Sequence, residues 1–298
     1  MGSSREILAE WFWLARPFSL TAAAIPVLFG TALAFTDGAF AWGPFLAMLF
    51  ASLLIQAATN MFNEFYDEQR GLDTESSVGI AGSIVRGRLK AREVLLGALF
   101  CYTLALFLGL YLVYVGGWPI LLLGCLSALG GYVYSAGPRP VAYTPAGEAT
   151  VFVFMGLVIV VITYGVQAGS YPLSVPLAAT PIGALVAAIL LANNIRDLES
   201  DRRGGRNTLP VALGRQGGVT VYRALLLGSY LLVGALALVG TVPFGALLAF
   251  SSAPLAARLW RRVSSSTIPE RLDPVVKGTA GLHASFGLLY TIGLLLPF

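Results

Sequence analysis

The stretch 60-NMFNEFYDEQRGLDTE-75 places Glu64, Asp67, Glu68, Asp73 and Glu75 within twelve positions of a chain that has only 15 acidic residues in 298. A second stretch, 193-NNIRDLESDRRGGRNT-208, carries Asp197, Glu199 and Asp201. Residues four apart share a helix face. Asn63 and Asp67 therefore line up in the first stretch, with Asn60 a turn earlier, and Asn193, Asp197 and Asp201 line up in the second. Each stretch offers an amide and carboxylates pointing the same way. Carboxylates so close repel one another unless a cation neutralises them, and hard oxygen ligands without His or Cys suit Mg²⁺, which usually completes its shell with substrate phosphate. Two such clusters read as a diphosphate clamp. Arg70, Arg86, Arg139, Arg196, Arg202 and Arg206 lie nearby and supply bidentate donors for phosphate oxygens. The competing reading is that these are solvated charges anchoring helix ends. It weakens because the same Asn and Asp spacing occurs at equivalent places in the topology.

The elements that must position these residues are membrane helices. The chain is 57% hydrophobic and 11% charged with a mean hydropathy of +0.78, against about 25% charged in soluble domains. Runs long enough to span a bilayer fall at 17–36, 43–63, 93–115, 118–136, 147–168, 175–195, 218–239, 242–260 and 276–297, which predicts an all-α polytopic bundle of nine transmembrane helices. Lys and Arg in short loops accumulate on the cytoplasmic side. All 19 fall at the N-terminus or after the second, fourth, sixth and eighth runs, and none after the first, third, fifth or seventh. That pattern predicts a cytoplasmic N-terminus and an active site facing the cytoplasm. The pI near 9.2 then reports topology and attraction to anionic headgroups, and no nucleic-acid partner is expected. Cys101 and Cys125 lie in apolar helices and read as small hydrophobes, not as a disulfide or metal site. Nothing at the N-terminus reads as a cleavable signal, since the first apolar segment is full length and flanked by Arg16.

The connections after the second and sixth runs are the long ones, so the inner face is where binding groups are expected. The two acidic stretches lie four helices apart, which suggests one domain over 1–298 built as a pseudo-repeat, helices one to four and five to eight, with a ninth added. The segment 263-VSSSTIPERLDP-274, polar and bounded by prolines, reads as a simple inner loop. His283, within the ninth run, reads as a satisfied interhelical hydrogen bond, and Glu148 as a helix cap near the inner surface. Gln167 interrupts an apolar segment.

These residues resemble the UbiA superfamily of intramembrane aromatic prenyltransferases, which has nine helices and two Asp-rich motifs, NDxxD followed by a further Asp, and DxxxD. The counterparts are 63-NEFYDEQRGLD-73 and 197-DLESD-201, with Glu64 where the family commonly has Asp. Asp73, after an Arg-Gly pair, resembles the menaquinone branch, the 1,4-dihydroxy-2-naphthoate polyprenyltransferases. So do 137-GPRPVAYTPAGEATVFVFMGLVIVVITYGVQAG-169 and 193-NNIRDLESDRRGGRNTLPVALG-214.

The resemblance implies Mg²⁺-dependent transfer of a polyprenyl group from its diphosphate to an aromatic acceptor, 1,4-dihydroxy-2-naphthoate in that branch, in the lipid bilayer of a bacterial or archaeal plasma membrane. Asn63, Glu64, Asp67, Asp73, Asn193, Asp197 and Asp201 would hold the metal, and Asp67, Asp73, Asp197 and Asp201 would be catalytic. Arg70, Arg86, Arg196, Arg202 and Arg206 would hold the diphosphate. An allylic cation needs a dry pocket with π faces, for which Tyr66, Tyr132, Tyr134, Tyr143 and Tyr164 are candidates, with Arg139 and Tyr143 contacting the acidic acceptor. A 4-hydroxybenzoate, haem O or ether-lipid prenyltransferase is a nearer alternative. A secondary transporter is the alternative from another class.

Overall fold

In a membrane every backbone polar group must be satisfied within the chain, which leaves helices as the economical solution for apolar runs like these. The computed structural model describes residues 4–71, 78–79, 81–135 and 140–296, and every regular element among them is helical. A short α1 (Ser4–Leu14) leads through a 3₁₀ turn, Pro17–Leu20, into α2 (Thr21–Thr36). Then come α3 (Trp42–Gln69), α4 (Ala91–Gly116) and α5 (Trp118–Ser135). The next span is composite: α6 (Gly147–Val151) passes through a π-helical stretch, Phe152–Val158, into α7 (Ile159–Ala168). After it follow α8 (Ser174–Arg196), the single-turn α9 (Leu198–Arg203) and α10 (Leu209–Leu238). A 3₁₀ stretch, Phe244–Ser252, continues into α11 (Ala253–Arg262), and α12 (Pro269–Leu294) closes the bundle.

Seven described helical segments are long and apolar enough to cross a membrane, from Pro17–Thr36 to Leu209–Leu238. The expected eighth run is instead split between the 3₁₀ stretch and α11. The expected ninth run starts earlier, at Pro269, so α12 carries Arg271, Asp273 and Lys277 in its first turns. Pro at the first helical positions costs no hydrogen bond, which is how the polar segment once read as a loop begins a helix. The second span is also longer than its apolar run. By continuing to Gln69, α3 keeps Asn63, Glu64 and Asp67 on regular helix.

The main core gathers α2, α7, α8, α10 and α12 around Phe29, Ile182, Leu185, Tyr222, Phe286 and Tyr290. Its centre is α8, 72% of whose most apolar window is buried, whereas the figure for α5 is 6%. Small residues make that burial possible. A Cβ on Gly156 would lie 2.2 Å from the Cα of Gly183, so the π-helical stretch and α8 meet backbone to backbone. At one end of the bundle the connections are tight: Gly117, at φ 73°, lets α4 turn into α5 across one residue. The long connections gather at the other end, with the acidic stretches.

Candidate active site

The last turns of α3 divide their polar residues between scaffold and site. Asn60, buried, donates through Nδ2 to the carbonyl of Ala15 at 2.8 Å and to Ser19 Oγ at 2.9 Å, tying α3 to the entry of α2. Glu64 is 1% exposed, and its Oε1 accepts the backbone N–H of Ser83 at 2.6 Å and of Ile84 at 3.2 Å. One oxygen of the carboxylate expected to ligate metal thus anchors the loop that runs over the helix end, while its buried Oε2 has no partner among the described residues. That loop is held from the far side too, where Glu10 of α1 pairs with Arg88 and accepts from Ser83 Oγ. Asp67, one turn beyond Glu64, faces across the bundle and accepts from Arg206 Nη2 at 2.7 Å. Asn63 is half-buried beside it in sequence.

The second stretch is more firmly fixed. Arg196, with a side chain 3% exposed, donates to both oxygens of Asp197, through Nε at 2.7 Å and Nη2 at 2.6 Å. The same guanidinium donates to Asn193 Oδ1 at 2.8 Å and to Asp273 of α12 at 3.0 Å, and Lys277 completes the chain on Asp273 at 2.6 Å. Gly79, at φ 78°, lies against this guanidinium so closely that a Cβ would sit 2.0 Å from Nη1. Arg196, expected to hold diphosphate, spends its guanidinium here on Asp197, Asn193 and Asp273. Asp201, on α9, accepts from Thr208 Oγ1 at 3.2 Å and lies 3.6 Å from Arg206 Nη1.

Arg206 joins the two halves. It stands between Asp67 and Asp201, residues 134 positions apart in sequence, and its guanidinium covers the ring of Tyr143 at 4.5 Å. Arg70 approaches that ring from the α3 side at 5.5 Å and donates to its hydroxyl. The Tyr143 carbonyl accepts the N–H of Asn207 at 2.9 Å, which locks the 3₁₀ turn Val141–Tyr143 to the segment after α9. Burial pushes the Asp201 carboxyl up to about 6, reinforced by Asp197 and Asp67 and opposed by Arg206 and Thr208. Burial alone would weaken the charge on Arg206, but Asp67, Tyr143 and Asp201 outweigh it and hold the guanidinium protonated. Among the described residues no three acidic side chains converge on one point. The donor set nevertheless fits a hard divalent cation: oxygen ligands from both stretches, with a cationic guanidinium between Asp67 and Asp201.

Other expected residues separate. Asp73 and Arg139 lie outside the described residues. Arg202 is exposed and pairs with Glu199 at 3.4 Å, and Arg86 donates to the carbonyl of Ala81 in its own loop. Tyr66 is exposed, stacked on Phe62 and 5.6 Å beneath Arg70. Tyr132 is 65% exposed on the outer surface of α5. Tyr134, half-buried near the end of α5, packs against the main core. Tyr164 does not belong with the site. Its hydroxyl donates to Asp37 at the end of α2, and α3, about 42 Å long at 1.5 Å per residue, separates that end of the bundle from Asp67. Gln167 also works at that far end, pairing with the backbone of Ala41.

His283 was expected to find a partner, yet it is fully buried and neither ring nitrogen has a hydrogen bond among the described residues. Glu148 is more than a cap: its Oε1 accepts from Asn194 Nδ2 at 2.9 Å. Asn194, Thr208, Asp273 and Lys277 were not singled out from sequence. Asn194 and Thr208 lie inside the quoted second stretch, and a proline followed by Glu270 marks the helix start that carries the other two.

Residues 23–271 match the UbiA prenyltransferase family. A 1,4-dihydroxy-2-naphthoate octaprenyltransferase of Bacillus subtilis (strain 168) is 40% identical over 295 residues, covering 99% of this chain and 95% of that protein. The protein of the same name from Escherichia coli (strain K12) is 30% identical, covering 96% and 95% respectively. Among solved structures, a UbiA homologue from Archaeoglobus fulgidus bound to GPP and Mg²⁺ has a TM-score of 0.67 at 18% identity, over 94% of this chain and 99% of that one.

Proposed function

Because the chain belongs to the UbiA prenyltransferase family and is a membrane-embedded prenyltransferase, we propose that it joins a polyprenyl group from an isoprenyl diphosphate to 1,4-dihydroxy-2-naphthoate, releasing CO₂ and giving demethylmenaquinol. The observation that carries the reading is Arg206 between Asp67 and Asp201: two acidic stretches distant in sequence share one cation and hence one site. The acceptor is supported by the Bacillus subtilis and Escherichia coli relatives, whose names specify it.

Asp67, Asp73, Asp197, Asp201, Asn63 and Asn193 are the residues that would hold Mg²⁺, which when bound neutralises charge on the leaving pyrophosphate. The chain's own part is positioning. Arg196 keeps both Asp197 oxygens in one orientation. Arg206 pairs with both Asp67 and Asp201 and, standing between them, would be placed to donate to diphosphate oxygens. The ring of Tyr143 lies beside that position, suited to a developing allylic cation. The acceptor's ring then forms a carbon–carbon bond to the allylic carbon as its bond to diphosphate oxygen breaks.

The family architecture supports nine membrane crossings here, with α11 and its preceding 3₁₀ stretch as the eighth and α12 as the ninth. The charge distribution supports a cytoplasmic N-terminus and site, in a bacterial plasma membrane.

The test is the product mass formed by the purified protein with Mg²⁺, farnesyl diphosphate, and either 1,4-dihydroxy-2-naphthoate or 4-hydroxybenzoate. A prenylated naphthoquinol without the carboxylate is expected, and chelation should stop its formation reversibly. A prenylated hydroxybenzoate alone would overturn the acceptor assignment, and absence of any covalent product would overturn the reading.

A further inference from the structure

The buried polar atoms without a hydrogen-bond partner among the described residues include Oε2 of Glu148, an acceptor, and Nε of Arg206, a donor. Glu148 is 5% exposed, and its other oxygen is spent on Asn194 of α8, adjacent to Asn193 in the second acidic stretch. Leaving a buried acceptor unpaired is costly, the more so when it is charged, so a carboxylate left this way invites a ligand to complete it. Its place in the chain sets it close to the site. Glu148 sits in the first turn of α6, five positions after Tyr143, and Tyr143 is clasped by Arg70 and Arg206. The Val141–Tyr143 turn packs against α6, and α6 packs against α8, so Glu148 lies between Tyr143 and the second acidic stretch.

We propose that Glu148 is a catalytic base for the acceptor: its free Oε2 takes the proton from the acceptor hydroxyl adjacent to the carboxylate-bearing carbon. The inference rests on the prenyl-transfer reading and names a group that reading left out. Its chemistry balances. The O–H bond breaks and the proton passes to Glu148, while the oxygen lone pair drives density into the ring. The ring carbon bearing the carboxylate bonds to the allylic carbon, whose bonding pair to oxygen leaves with pyrophosphate. The adduct is a β-keto carboxylate. It loses CO₂, the electrons of the broken carbon–carbon bond restore the ring as an aryl oxide, and Glu148 returns the proton to the same oxygen. No proton is consumed overall, so a single carboxylate cut off from water is sufficient. Asn194, donating to Oε1, is the positioning residue that turns Oε2 towards the substrate.

Glu148→Gln is the decisive variant because its amide oxygen still accepts from Asn194 while its volume is unchanged. We expect turnover to fall by ~100-fold or more, the usual worth of a positioned base, with KM and binding affinity for farnesyl diphosphate unchanged. Glu148→Ala should be equally slow and partly restored by added formate, and Glu148→Asp should keep intermediate activity. Glu148→Gln within ~5-fold of wild type would overturn the proposal. So would loss of farnesyl diphosphate binding in parallel with turnover, which would make the carboxylate a structural element. The wild-type reaction run alongside separates the two levels: if it gives no prenylated naphthoquinol the functional reading fails, whereas an active Glu148→Gln beside an active wild type defeats only the base.

Discussion

The ends of α3 and α8 carry the same pattern of amides and carboxylates, and the structure treats them differently. At the end of α8, Asp197 and Asn193 are fixed by Arg196, which is itself held by Asp273 and buried under Gly79. At the end of α3 the fixing is done on the neighbours: Asn60 holds the entry to α2 and Glu64 holds the loop at Ser83 and Ile84, while Asp67, among the described residues, pairs with Arg206 alone. The two carboxylates are equally exposed, 26% for Asp197 and 25% for Asp67, and the difference lies in their partners: Arg196 is 3% exposed and held by further bonds, whereas Arg206 is 22% exposed. A site that must admit a large lipid diphosphate and then close on it benefits from that asymmetry, because one side stays in register while the other exchanges partners.

The largest expected effect separates the two halves by stability as well as activity. Asp67→Ala and Asp197→Ala should each reduce turnover by ~1000-fold or more, the scale of losing a main electrostatic group. Asp67→Ala should cost under ~1 kcal/mol of stability because its ion pair is partly solvated. Asp197→Ala should cost ~3 kcal/mol because it strips a buried guanidinium of its bidentate partner. Thermal unfolding in detergent checks both, and equal losses would break the distinction between the two halves.

Glu64 gives a smaller and sharper effect. Glu64→Gln keeps an oxygen for the Ser83 and Ile84 amides and replaces the unpartnered Oε2. It should retain activity within ~10-fold of wild type, while Asp67→Asn falls by orders of magnitude. A Glu64→Gln enzyme as dead as Asp67→Asn would return Glu64 to the metal site. The smallest effect is expected at Tyr164. Tyr164→Phe removes the bond to Asp37 at the far end and should cost ~1 kcal/mol with turnover unchanged, and a selective drop in turnover would show that the two ends communicate.

Much of this was legible in the sequence for physical reasons. Apolar length identified the seven clear spans, and charge at helix ends located the functional face. Depth and rotation were not legible: Tyr164 reads like any other aromatic in a membrane helix until the fold sets it against Asp37. Glu64 and Asp67 share a helix end and a residue class, and only the path of the loop at Ser83 distinguishes scaffold from site. The start of α12 was missed because a polar, proline-bounded segment serves equally as a loop or as a first helical turn, and Asp273 was missed with it. Arg206 stood in the quoted stretch as one arginine among several. Its bridging role depends on contacts far away in sequence.

The most direct test of two acidic stretches forming one site is a double-mutant cycle on substrate affinity. Binding of the non-reactive thiolodiphosphate analogue of farnesyl diphosphate, with Mg²⁺, would be measured for wild type, Asp67→Asn, Asp201→Asn and the double variant. If the two carboxylates hold one diphosphate together, the double variant should bind little worse than the weaker single variant, a coupling of ~1 kcal/mol or more. Losses that simply add would mean that Asp67 and Asp201 act at separate places, and the shared clamp would be wrong.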